Sequence, residues 1–109
     1  MTNKLFQATR IGDIDVANRV VMAPLTRCRA DEPAGDVPGS AMNIEYYRQR
    51  SNAGLIISEG TQVSPVGKGY MATPGIYSEA QVQGWRPITQ AVHDAGSKIV
   101  AQIWHVGRI

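Results

Sequence analysis

Three apolar runs in this 109-residue sequence lead into groups suited to holding a flat molecule with a polar edge. The run Arg19–Pro24 is followed by Leu25 and Thr26. The run from Leu55 ends at Glu59-Gly60-Thr61, and the run from Lys98 ends at Gln102-Ile103-Trp104-His105. A hydroxyl, an amide that both donates and accepts, and a glycine that permits close main-chain approach are neutral hydrogen-bonding groups. Beside aromatic residues they suit a planar heteroaromatic cofactor better than they suit hydrolysis. No Asp–His–Ser set and no metal-ligand spacing of His, Cys or carboxylates is present. Gly67-Lys68-Gly69 is too short for a G-x-G-x-x-G or Walker A loop, which weakens the reading as a small phosphate-binding module.

Strands must present these tips. Arg19–Pro24, Leu55–Gly60 and Lys98–Trp104 are continuous apolar runs, as expected of parallel strands buried on both faces. Pro24 closes the first, since a ladder interior cannot use a residue without an N–H. A helix is expected from Ser40, a candidate N-cap, to Ser51, with Met42, Tyr46 and Gln49 on one face. Gly54 can end it in a left-handed conformation. Ser78-Glu79-Ala80-Gln81 resembles a capping box. It opens a helix whose stripe is Val82, Trp85, Ile88, Thr89 and Val92. Pro87 inside it predicts a kink or a broken first turn, and Asp94-Ala95-Gly96 ends it. Upstream, residues 5 to 17 read as a hairpin with Gly12-Asp13 at its turn. The order is hairpin, then strand, helix, strand, helix, strand, the pattern of a parallel α/β sheet.

Composition narrows the function classes. Hydrophobic residues at 43% and charged residues at 18% describe a globular chain. Eleven Lys plus Arg against nine Asp plus Glu give +2, too small an excess to argue for nucleic acid or an acidic membrane. One cysteine, Cys28, excludes an internal disulfide and fits a reducing, cytoplasmic setting. The opening residues resemble no signal peptide, and no run approaches the ~18 apolar residues of a membrane span.

Four segments carry a family resemblance. Asn18–Arg27 resembles the opening flavin-binding strand of the Old Yellow Enzyme family. Leu55–Thr61 is similar to that family's second strand, where many members have alanine at the Gly60 position. Lys68-Gly69-Tyr70, Pro74-Gly75 and Gly84-Trp85 match its next segment, and Ala101–Arg108 its third strand. The resemblance runs in order over nearly the whole chain. It implies FMN, with NADPH as reductant, and reduction of the C=C bond of activated alkenes. Pro24 and Leu25 would lie against the isoalloxazine, Thr26 would donate its hydroxyl to the flavin C4 carbonyl, and Gly60 would offer a main-chain N–H. Gln102 would bind the pyrimidine side, and Tyr70 and Trp104 would line the substrate pocket.

The same resemblance implies what this chain lacks. The His pair (or His and Asn) that holds the substrate, the protonating tyrosine and the phosphate-binding segments belong to later strands, so no catalytic residue is assigned here. His93 and His105 lie in the wrong segments for that pair. Weighed without the family, Thr26 is an ordinary loop threonine, Gly60 a strand-end glycine and Trp104 a core filler. Gln102, inside an apolar strand, needs some partner. Arg27, Arg29 and Arg108 are read as solvated or as pairing outside the chain, and His105 as structural.

A (β/α)₈ barrel takes ~250 residues. Residues 1–109 are therefore expected to be the N-terminal part of a single TIM-barrel domain: the hairpin, the first three strands and two helices, an incomplete barrel. One hypothesis is an enzyme part, active only with a complementary chain that carries the rest of the barrel. The other is a non-catalytic truncated or engineered fragment that assembles with itself.

Overall fold

Gly12 takes φ +58 at the first position of a two-residue turn, as a type II′ turn between right-twisted strands requires. Strands β1 (Thr9–Ile11) and β2 (Ile14–Val16) thereby pair antiparallel, with Thr9 opposite Val16. In this computed structural model, which describes residues 3–108, the hairpin is shorter than the expected 5–17. Lys4–Phe6 form a 3-10 turn instead. The Asn3 side chain accepts the Leu5 N–H at 2.9 Å and bends the chain there.

Strands β3 (Val21–Met22), β4 (Leu55–Gln62) and β5 (Lys98–Trp104) form a parallel sheet in the order β3-β4-β5. Asn18 sets where the first two begin. Its Oδ1 accepts from the N–H of Val20 at 2.9 Å and of Gly54 at 2.8 Å, and its Nδ2 donates to the Asn52 carbonyl at 2.8 Å. Strand β3 is much shorter than the run Arg19–Pro24, because the chain leaves the ladder after Met22. Strand β4 runs two residues past Gly60, to Gln62.

Parallel neighbours need crossovers, and two helices supply them. Helix α1 (Ala41–Gln49) is capped by Ser40, whose Oγ accepts the Asn43 N–H at 3.3 Å. Its buried residues are Asn43 and Tyr47, while Met42 is 70% exposed. The expected apolar face is therefore rotated. Inward-turned polar groups win the position: the Asn43 amide donates to the carbonyls of Pro38 and Arg29, at 2.6 and 3.1 Å.

Helix α2 (Glu79–Asp94) opens with the expected capping box of Ser78 and Gln81. It buries Trp85, Ile88 and Val92 and runs unbroken through Pro87. Proline removes one donor bond, to Gln83 four residues back. Both residues are exposed, so water can take the freed carbonyl. The core is Tyr47, Ile56, Trp85, Ile88 and Val92, shared by both helices and β4.

The outer strands are not buried on both faces within this chain. Val21 in β3 is 42% exposed and Ile103 in β5 is 54% exposed. Only β4, paired on each side, is buried along nearly its whole length.

Candidate functional site at the C-terminal strand tips

The β4–β5 register slips between Ile57 and Gly60. Ser58 repairs the ladder there: its Oγ accepts the Gln102 main-chain N–H at 3.2 Å and donates to the Glu59 carbonyl at 2.9 Å. Such bulges re-aim the side chains that follow. Beyond this one, Gly60 stands opposite Gln102, and Gln62 opposite Trp104.

Glu59 turns into a buried ion network. The Arg27 Nη2 reaches Glu59 Oε2 at 2.5 Å, and Arg27 Nη1 donates to Asn43 Oδ1 at 2.9 Å. The guanidinium lies 3.8 Å from the Tyr46 ring centroid, a cation–π contact. Tyr47 Oη donates to Glu59 Oε2 at 2.9 Å and accepts the Glu59 N–H at 3.1 Å. Burial, then the Glu59 charge, holds the Tyr47 hydroxyl well above its ordinary range, so it stays a neutral donor. Arg27 is thus not solvated: both its Nη groups are paired within the chain, while its buried Nε has no partner among the described residues. It ties the loop that carries Thr26 to the tip that carries Gly60. The signal that could have found it was Glu59 itself, a carboxylate closing an apolar strand, which requires a cation.

Pro24, Leu25 and Thr26 leave β3 on the side of the sheet where β4 and β5 end. Pro24 is half-buried, while Leu25, Thr26 and Gln102 are exposed. Among the described residues, neither the Thr26 hydroxyl nor the Gln102 amide makes a hydrogen bond, so both are free for a ligand.

Tyr70 and Trp104 stack at the same end, with centroids 5.7 Å apart and planes 24° apart. The indole lies flat on Gly60, where an added Cβ would stand 2.5 Å from a ring carbon. The loop before Tyr70 is pinned by Lys68, whose Nζ meets Glu32 Oε2 at 2.6 Å and Asp36 Oδ1 at 2.8 Å. Hydrogen bonds to Asp36 and Glu32 raise the Lys68 pKa. Spacing gave no sign of this cluster, since its acids lie 32 and 36 residues away.

The remaining singled-out residues lie outside this constellation. His105 accepts the Gly107 N–H on Nδ1 at 2.9 Å, closing a turn. His93 is exposed on α2. Cys28 is half-buried at φ +56, in the loop beside Arg27. Among the described residues, no His, Cys, Asp and Glu group could hold a metal ion, and no helix is long and apolar enough to cross a membrane.

Comparison with known proteins gives consistent matches. A family model described as the NADH:flavin oxidoreductase / NADH oxidase family matches residues 4–109. The chain is 48% identical over 105 residues to 12-oxophytodienoate reductase 7 of Oryza sativa subsp. japonica, covering 95% of this chain and 26% of that protein. It is 46% identical over 107 residues to the flavin oxidoreductase hxnT of Emericella nidulans, covering 95% of this chain and 27% of that protein. Among solved structures, the Old Yellow Enzyme homologue from Zymomonas mobilis superposes with a TM-score of 0.90 at 54% identity, over 97% of this chain and 29% of that one. Morphinone reductase in complex with tetrahydroNAD gives 0.88 at 48% identity, over 98% of this chain and 28% of that one. The chain thus spans little more than a quarter of the length of these relatives.

Proposed function

The chain belongs to the NADH:flavin oxidoreductase / NADH oxidase family, within the Old Yellow Enzyme group, and we propose on that premise that it supplies three strand tips of an FMN site in an ene-reductase. The observation that carries this is the pairing of Gly60 with Gln102 beside the tip to which Arg27 ties the Thr26 loop. The donor set fits a flavin: a free hydroxyl, a free amide and a glycine, next to a stacked aromatic wall.

Thr26 would donate its hydroxyl to the C4 carbonyl, favouring the electron-rich reduced ring. Gln102 would meet the pyrimidine edge with an amide that both donates and accepts. Gly60 would present its main-chain N–H, and Pro24 and Leu25 would lie against the ring. Tyr70 and Trp104 would wall the substrate pocket and exclude water from it. When bound, FMN supplies hydride transfer, with NADPH as the reductant and the C=C bond of an activated alkene as acceptor. That the solved relative above holds a tetrahydronicotinamide supports a nicotinamide reductant. The groups that hold the substrate carbonyl and protonate the alkene would come from the rest of a TIM barrel.

The exposed apolar residues Val21 and Ile103 on the outer strands are the surface such a remainder would cover. The proposed partner is therefore a polypeptide carrying the later strands, in a cytoplasmic setting. Mixing with that piece should restore flavin absorbance and alkene-dependent NADPH oxidation. A folded mixture that retains no FMN would contradict the reading. A colourless homo-oligomer of this chain would favour a non-catalytic building block.

A further inference from the structure

Gln62 lies on β4 opposite Trp104 and is fully buried. A buried primary amide is costly unless its hydrogen bonds are made. Here each bond goes to the aromatic wall or to the segment behind it. The Gln62 Oε1 accepts the Trp104 indole N–H at 3.2 Å. The Gln62 Nε2 donates to the Thr73 carbonyl at 2.8 Å. The Thr73 hydroxyl in turn donates to the Tyr70 carbonyl at 2.9 Å, with Gln62 Oε1 as its alternative acceptor at 3.3 Å. The orientation of the amide is forced. Turned over, it would set its NH₂ against the indole donor and its oxygen against the Thr73 carbonyl.

Main-chain bonds reinforce the link. The Gln62 N–H donates to the Pro74 carbonyl at 3.2 Å, and the Ile76 N–H to the Gln62 carbonyl at 3.0 Å. One residue therefore holds both members of the Tyr70–Trp104 stack, Trp104 directly and Tyr70 through Thr73. On the other side of the indole, Gly60 leaves room for the ring to lie flat. A tryptophan in a half-exposed position has other rotamers available, and only the bond to Gln62 selects this one by hydrogen bonding.

We propose that Gln62 is a positioning residue that sets the plane of Trp104, and with it the shape of the substrate pocket that Tyr70 and Trp104 wall. The pocket rests on the function proposed above; the positioning itself does not, and can be read without flavin. The substrate class affected is a flat conjugated alkene whose fit depends on the angle of that wall.

The experiment is hydrogen exchange at the indole N–H groups of the whole protein, with and without added FMN. Trp104 is assigned by the loss of its resonance in W104F. Trp85 serves as control, because its Nε1 donates to the Gly75 carbonyl at 3.0 Å and not to Gln62. In the unsubstituted protein the Trp104 N–H should exchange at least about tenfold more slowly than free indole, and in Q62L about tenfold faster than in the unsubstituted protein, with Trp85 unchanged. Q62E, whose buried carboxyl in its neutral form can accept from the Trp104 indole and donate to the Thr73 carbonyl, should keep Trp104 protected. With FMN bound, Q62L should change KM for the alkene more than kcat. Rapid Trp104 exchange in the unsubstituted protein overturns the proposal with no variant at all, and so does unchanged Trp104 exchange in a Q62L protein that keeps Trp85 protected. If FMN fails to bind while the exchange pattern holds, the flavin reading fails and the positioning role stands.

Discussion

Arg27 and Glu59 meet at 2.5 Å with their side chains 16% and 3% exposed, joining the loop after β3 to the tip of β4. Removing one partner of a buried pair strands the other charge, at a cost of about 3–5 kcal/mol. R27M is therefore expected to lose stability on that scale in urea unfolding. The double variant R27M/E59L should recover much of the loss, because no charge is then left buried. Equal stability of R27M and the unsubstituted protein would show that the pair is unimportant.

Tyr47 hydrogen-bonds to the same carboxylate, and its pKa is raised by burial first and then by the Glu59 charge. An unfolded tyrosine titrates near pH ~10. The folded value is higher, so the folded state keeps the proton longer. Its contribution is fully present below about pH 10 and is lost as pH rises beyond it. Lys68, also raised, adds a loss that begins near the ordinary lysine value of 10.5. Urea midpoints between about pH 8 and 11 should fall at the alkaline end. The fall should be shallower in Y47F, which keeps the Lys68 part. An unchanged slope in Y47F would exclude Tyr47 as a source.

Gly54, just before β4, is pressed against the Asn18 main chain: an added Cβ would strike the Asn18 carbonyl oxygen. Backbone cannot move aside as a side-chain tip can. G54A should cost at least about 1–3 kcal/mol, seen as a lowered thermal midpoint. G96A tests something different, since a Cβ there meets nothing within 4 Å and the cost arises from φ +86 alone.

Ser78 and Gln81 divide the start of α2 unequally. Ser78 Oγ accepts one bond, from the Gln81 N–H at 3.2 Å. Gln81 Oε1 accepts from Tyr77 and Ser78 N–H at 2.9 and 3.0 Å, and its Nε2 donates to the Gly35 carbonyl at 2.9 Å. S78A should cost about 1 kcal/mol. Q81A should cost more, because it also unties the loop before α1. The reverse order in thermal unfolding would contradict this division.

Elements whose signal is local were legible in the sequence. The three strands, the Ser40 cap and the Ser78–Gln81 box depend on a few adjacent residues, and all are present. Errors arose where a distant partner decides. Met42 looked as apolar as any core residue, yet Asn43 and Tyr47 took the inner face because loop carbonyls and Glu59 needed donors there. Leu5 and Phe6 read as strand until the Asn3 side chain bent them into a turn. Pro87 was read as a kink or a broken first turn; the helix runs unbroken through it, because its lost bond falls where water can reach.

The site was legible in the same uneven way. Thr26, Gly60 and Gln102 stand out as polar or small residues at the ends of apolar runs, and the sheet carries them to one side. Tyr70 was placed beside Trp104 only through the family resemblance, and the structure stacks them. Arg27 and Lys68 were read as solvent-facing or passed over, since their acids lie 32 or more residues away. The role of Gln62 was invisible, because a glutamine next to an apolar run carries no mark of what its amide will reach.

The most direct test of a flavin site at these strand tips is FMN binding by the protein mixed with the proposed complementary polypeptide, followed in the visible spectrum for the unsubstituted protein, Q102A and T26A. The unsubstituted protein should retain FMN through gel filtration. Q102A should bind it up to about tenfold more weakly, the loss of one or two hydrogen bonds. T26A should retain it with a potential lower by about 30 mV, which corresponds to about 1.4 kcal/mol for a two-electron couple. A folded, complete protein that holds no FMN, or one whose FMN affinity and potential are the same in both variants, would contradict the account.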